Sequence, residues 1–131
     1  MAEYTAARID DIEGIYGGSF KRVRAALGVS AFGMQVIDMP AGATGYPEHD
    51  HSQDGQEEVY VALRGSATMD IEGEQAPLDA DHIVSVKPGT KRVVRPGPDG
   101  VRLLVIGGVA GAAYEPPAFT ELGAPDPMAS R

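Results

Sequence analysis

Between Val29 and Gly108, short apolar and β-branched runs alternate with clusters of Gly, Pro and Asp. That alternation leaves no stretch long enough for a core helix, and it is the strongest constraint on the fold. AFGMQVIDM (31–39), EEVYVAL (57–63), SATMDI (66–71), IVSV (83–86), KRVVR (91–95) and VRLLVIGG (101–108) read as strands. PAGATGYP (40–47), EGEQ, APLDADH, KPGT and PGPDG read as the loops and turns between them, and EHDH (48–51) begins a further strand. Seventeen glycines and ten prolines supply those turns. Six or more short strands at such spacing predict an all-β barrel or sandwich.

The ends differ from this middle. Residues 1–19 are polar and irregular. FKRVRAAL (20–27) places Phe20, Val23 and Leu27 on one helical face, with Gly28 where a C-terminal cap belongs. A short helix or turn is expected there. The stretch 109–131 is rich in Pro, Ala and Gly. Tyr114 and Phe119 are expected to pin part of it, with Tyr114 lidding a pocket or crossing to a neighbour, and the last residues are expected to be mobile. The chain of 131 residues suits one domain. It divides into an N-terminal segment (1–28), a barrel (29–108) and a tail (109–131).

Composition removes several functions. The net charge of −8 disfavours phosphate backbones, so no nucleic-acid partner is expected. There is no cysteine, hence no disulfide, thiolate metal site or thiol nucleophile. The start MAEYTAARIDDIEG has neither a basic region nor an apolar stretch. No apolar run approaches the roughly 18 residues of a membrane span. A cytoplasmic protein without membrane contact is the expectation. GxSxG, GxxxxGK[ST] and GxGxxG are absent.

The chemistry concentrates in GYPEHDHSQDGQEEVYVALRG (45–65). Alternate residues of an extended strand share a face, so His49 and His51 would project together, with Cα atoms roughly 7 Å apart. Glu58 could join them from a neighbouring antiparallel strand, with Glu57 as its rival. Two histidines and one carboxylate suit iron, manganese, nickel or zinc. Asp54 is read as part of a solvated turn, and His82, in DADH, as exposed and merely polar.

This stretch resembles the first motif of the cupin superfamily: Gly, five residues, His-x-His, three or four residues, Glu, six residues, Gly. The chain supplies His49, His51, Glu58 and Gly65. Ala43 occupies the leading glycine slot, between Gly42 and Gly45, and SQDGQE lengthens the gap before Glu58. DHIVSVKPGTKRVVRP (81–96) has the outline of the second motif, Gly, five residues, Pro-x-Gly, two residues, His, three residues, Asn. Asp81 stands at its glycine, Lys87-Pro88-Gly89 at Pro-x-Gly, Arg92 at the metal-binding histidine and Pro96 at the Asn. The resemblance implies a double-stranded β-helix, or jelly-roll barrel, of two antiparallel sheets. It also implies a divalent metal on His49, His51 and Glu58.

Arg92 leaves two readings open. A guanidinium about 5 Å from a divalent ion would be repelled by on the order of 6–7 kcal/mol at an effective dielectric near 20. Either a three-ligand metal site persists and Arg92 orients an anionic substrate, or Arg92 replaces the metal and pairs with Glu58. The first predicts a divalent-metal-dependent enzyme of oxygenase or isomerase type acting on a small anionic molecule. The second predicts a metal-free small-ligand-binding or sensor module. A barrel acting only through its outer surface is a third possibility. Tyr60 and Met34 join Arg92 as candidate substrate contacts, although Tyr60 and the alternating Phe32, Met34 and Val36 also suit a core. Arg95 is expected to point outward. Both faces of residues 57–63 are apolar, which predicts burial of the second face in a homodimer.

Overall fold

The computed structural model describes residues 2–127. Seven strands and one short helix follow in order: β1 (Gly14–Ile15), β2 (Phe20–Lys21), α1 (Val23–Leu27), β3 (Gly33–Met39), β4 (Gln56–Ile71), β5 (Glu74–Leu78), β6 (Ile83–Val86) and β7 (Arg92–Val109). Single 3-10 turns lie at Ile9–Asp11 and Ala118–Thr120. All pairings are antiparallel, in the order β1-β2-β3-β7-β4-β5, with β6 on the other edge of the first half of β4.

The two expected sheets are halves of the same long strands. Residues 58–61 of β4 lie between β6 and residues 104–107 of β7. Residues 67–71 lie between β5 and residues 92–96 of β7. The strand bends between these halves at Gly65, whose φ is 75°. A Cβ there would sit 2.1 Å from the Gly100 carbonyl oxygen, so only glycine fits the corner. The expected turn PGPDG is absorbed here as well. Residues 97–100 bulge opposite Ser66 inside β7.

Other local expectations shift for similar reasons. Glu74–Leu78 is a strand rather than the end of the EGEQ turn and the start of the APLDADH loop, because β4 offers it a free edge. EHDH makes a single bridge, His49 to Arg92, and no longer strand. The helix begins at Val23, and Gly28 closes it in the left-handed region at φ 70°. Phe20 pairs with Ile37 in β2 instead of joining that helix.

Both halves close on one core that includes Tyr60, Ala62, Met69, Leu78, Val94 and Leu103. A smaller cluster of Ile12, Val23 and Val36 fastens the N-terminal segment to the outside of β3, with Met34 and Leu104 packed against it. That segment leaves the neighbouring outer surface bare. Val59, Leu63 and Ile83 share one face of β4 and β6, and Leu63 and Ile83 are 45% and 70% exposed.

Tyr114 and Phe119 do hold the tail. Phe119 lies against Phe20, with ring centroids 5.8 Å apart. A Cβ on Gly33 would strike the Tyr114 hydroxyl at 2.6 Å, which is how closely that ring covers β3. Two buried arginines complete the attachment. Arg22 donates to the carbonyls of Phe119 (2.9 Å) and Ala124 (2.8 Å), and Arg24 donates to Glu121 (2.8 Å). The mobility expected of the last residues concerns 128–131, which lie outside the described residues.

Candidate metal and ligand site

The alternation of β4 turns Glu58, Tyr60 and Ala62 inward and Glu57 outward. Glu57 pairs with Lys87 at the surface, at 3.4 Å. Glu58 is therefore the carboxylate that meets the histidines. The backbone brings them to it. His49 N–H donates to the Arg92 carbonyl (3.0 Å), and Arg92 N–H donates to that of His49 (2.9 Å). His51 N–H donates to the Pro88 carbonyl at 2.7 Å, so the KPGT turn anchors the second histidine. The two imidazoles stand edge to face, centroids 5.1 Å apart. Ligand atoms of His49, His51 and Glu58 all lie within 4.8 Å of one another.

Hydrogen bonds orient both rings. His49 Nδ1 lies 3.1 Å from the Pro47 carbonyl oxygen, which can only accept, so Nδ1 carries the proton. His51 Nδ1 lies 3.0 Å from both carboxylate oxygens of Asp54. Each ring thus turns Nε2 towards Glu58. His51 Nε2 is buried, 3.1 Å from Glu58 Oε1, without the alignment of a hydrogen bond. A buried ring nitrogen that faces a carboxylate oxygen without an aligned hydrogen bond, on an imidazole whose other nitrogen is held by a second carboxylate, is how metal-ligating histidines are arranged. The donor set fits a divalent ion. Asp54 is accordingly no idle turn residue. It also accepts from the N–H of Gln56 at 3.1 Å, which shapes the loop around His51. Its spacing of three from His51 was the available signal.

Glu58 is the centre of charge. Its Oε1 accepts from the Tyr60 hydroxyl at 2.7 Å and from Arg92 Nη1 at 2.9 Å. Burial opposes its ionisation, but the facing His49 and His51 imidazoles and the Tyr60 hydroxyl outweigh it, and the carboxyl is held far below its ordinary range. The His51 imidazole is raised from its usual value, chiefly by Glu58 and against burial, with Asp54 adding to it. Burial raises the Tyr46 and Tyr60 phenols, which stay protonated donors.

A cavity of about 920 Å³ opens in front of this group. His49, His51, Glu58 and Met34 line it, as do Tyr114 and Phe119 from the tail. Arg92 and Tyr60 do not. Both are 0% exposed and stand behind Glu58. Arg92 reaches no ligand there, since Nη2 donates to the Lys87 carbonyl at 2.8 Å. Tyr46, unremarked in the sequence, stands at the wall with its ring centroid 5.6 Å from that of His49. His82 is exposed and pairs with Asp79 at 2.7 Å, and Arg95 points outward to Asp70. No helix among the described residues is long and apolar enough to cross a membrane.

No family model matches the chain, and no curated protein matches it. Solved structures do. A cupin protein from Bacteroides fragilis superposes with a TM-score of 0.67 at 22% identity, over 95% of this chain and 99% of that one. The cupin domain of an XRE family transcriptional regulator from Enterobacter cloacae gives 0.53 at 22% identity, over 62% of this chain and 84% of that one. The DMSP lyase DddQ from Ruegeria pomeroyi gives 0.54 at 26% identity, over 70% of this chain and 45% of that one. With its antiparallel strands closed on one core and its histidine pair facing Glu58, the chain has the cupin fold.

Proposed function

We propose that the protein is a metal-dependent cupin that holds one divalent ion on His49, His51 and Glu58 and acts on a small molecule in the adjoining cavity. The observation that carries this is the buried Nε2 of His51, facing Glu58 Oε1 at 3.1 Å without an aligned hydrogen bond, opposite a nitrogen tied to Asp54. A divalent ion held there would polarise a bound carbonyl or water. The chain's own residues prepare the place. Asp54 and the Pro47 carbonyl set the imidazole tautomers, Tyr60 and Arg92 keep Glu58 charged and fixed, and the tail narrows the access of water.

The Arg92–Glu58 contact favours a second reading, a metal-free sensor or carrier in which the guanidinium takes the charge role of the ion. Its structural neighbours include a lyase and a domain of a transcriptional regulator. Elemental analysis of protein purified without tag or chelator, before and after His51→Ala, separates the two. Near-stoichiometric metal that is lost in the variant is the expected result. No metal after soaking with iron, manganese, nickel and zinc would leave the sensor reading. The bare face of Val59, Leu63 and Ile83 supports pairing of two copies, since an apolar surface on β4 and β6 is otherwise left in water.

A further inference from the structure

We propose that the cavity takes a molecule with a single oxygen-bearing head, seated at the histidine end, and an uncharged, apolar body. This rests on the metal-site reading and adds the class of ligand. The first observation is charge. Among the described residues, the cavity wall contains no lysine or arginine. Arg92, the cation nearest the site, is wholly buried behind Glu58. Asp38 is the one acid on the wall besides Glu58, and it is held by Arg102 through two bonds of 2.7 and 3.0 Å. A phosphate or second carboxylate on the ligand body would meet no cation.

The second observation is that Gln35, Gln56, Ser19 and Thr120 on the wall are already engaged through one atom each, which leaves chiefly phenol hydroxyls as neutral polar partners. Gln35 Oε1 accepts from the Val23 N–H, and Gln56 Nε2 donates to Asp54. The hydroxyls of Ser19 and Thr120 donate to the carbonyls of Tyr16 and Pro117. A sugar or polyol would find few free partners and would leave its hydroxyls unpaired. The remaining surface is aliphatic at Ile37, Met39 and Val105 and aromatic at Phe20, Tyr46 and Phe119. These rings come from three separate segments, and they surround space that a flat or branched apolar body would fill.

The test is calorimetric titration of the full chain, metal-free and manganese-loaded, with 4-ethylphenol, ribose 5-phosphate and succinate, with metal content measured on the same samples. 4-Ethylphenol is expected to bind at least tenfold more tightly than either of the others. Phe119→Ala, which removes a partly exposed ring, and Ala43→Asp, in the loop lining the wall, are each expected to weaken it severalfold with an unchanged circular dichroism spectrum. 4-Ethylphenol bound by protein that holds no metal supports this proposal and removes the metal reading alone. Metal held while ribose 5-phosphate or succinate binds as tightly as 4-ethylphenol overturns the proposal and leaves the metal reading standing. Binding of none of the three, or affinity unchanged in both variants, overturns it as well.

Discussion

Arg92 donates from Nη1 to Glu58 Oε1 at 2.9 Å while wholly buried, and its own Nε has no partner. The guanidinium is thus held beside the oxygen that would ligate an ion and is incompletely satisfied. It steadies the carboxylate, and it places a permanent positive charge next to the position of an ion.

Replacing that charge with a neutral donor should favour the metal. Arg92→His is expected to tighten manganese and zinc binding by about tenfold or more, since the like charge goes and a fourth ligand enters. It should also cost the metal-free protein about 1–3 kcal/mol, because Glu58 loses its cation inside the barrel. Calorimetric titration and thermal melts read both. Weaker metal binding in the variant would show that Arg92 aids the ion.

Asp54 sets the His51 ring from outside the ligand set. Asp54→Ala is expected to lower metal affinity by about 10–100-fold while the fold is retained, in keeping with other carboxylates behind ligating histidines. Asp54→Asn, which preserves an acceptor oxygen, should restore part of the loss. Equal affinity in wild type and Asp54→Ala would leave the residue a loop-forming role only.

Acid should loosen the tail at Glu13. Its Oε2 accepts from the Gly123 N–H at 2.8 Å and from Arg22 at 2.7 Å, and these two partners lower its pKa from 4.5. A carboxyl that is more acidic in the folded state contributes stability above its unfolded value, and that contribution is lost as pH falls through the folded one. The Gly123 amide resonance should therefore hold steady from pH 7 to about 5 and shift below 4.5, with no such titration in Glu13→Gln. A Gly123 shift that titrates identically in the variant would place the acid-sensitive contact elsewhere.

The bare face of β4 and β6 should carry the subunit contact. Leu63→Lys is expected to convert a dimer to a monomer in light scattering behind gel filtration, with melting of the isolated barrel little changed, because Leu63 is exposed in the single chain. A wild-type chain that is monomeric at high concentration would end the pairing proposal.

What the sequence by itself determined is the local pattern. Alternation of apolar residues placed the strands. The order of His49, His51, Glu58 and Gly65 marked the candidate ligands but left Glu57 as a rival to Glu58, and only the pairing of β4 turned Glu58 inward and Glu57 to Lys87 at the surface. Only the tertiary structure decided the long-range matters. Gly65 is a corner because the Gly100 carbonyl, distant in sequence, occupies the space of its Cβ. PGPDG reads as a turn locally but is carried inside β7 by pairing with β4. Arg92 has the chemistry of a substrate anchor, yet burial turns its Nη1 to Glu58 and its Nη2 to the Lys87 carbonyl, which makes it a support. Side-chain type is written in the chain, but whether a charged group faces a cavity or a neighbouring carboxylate depends on contacts between residues far apart in sequence.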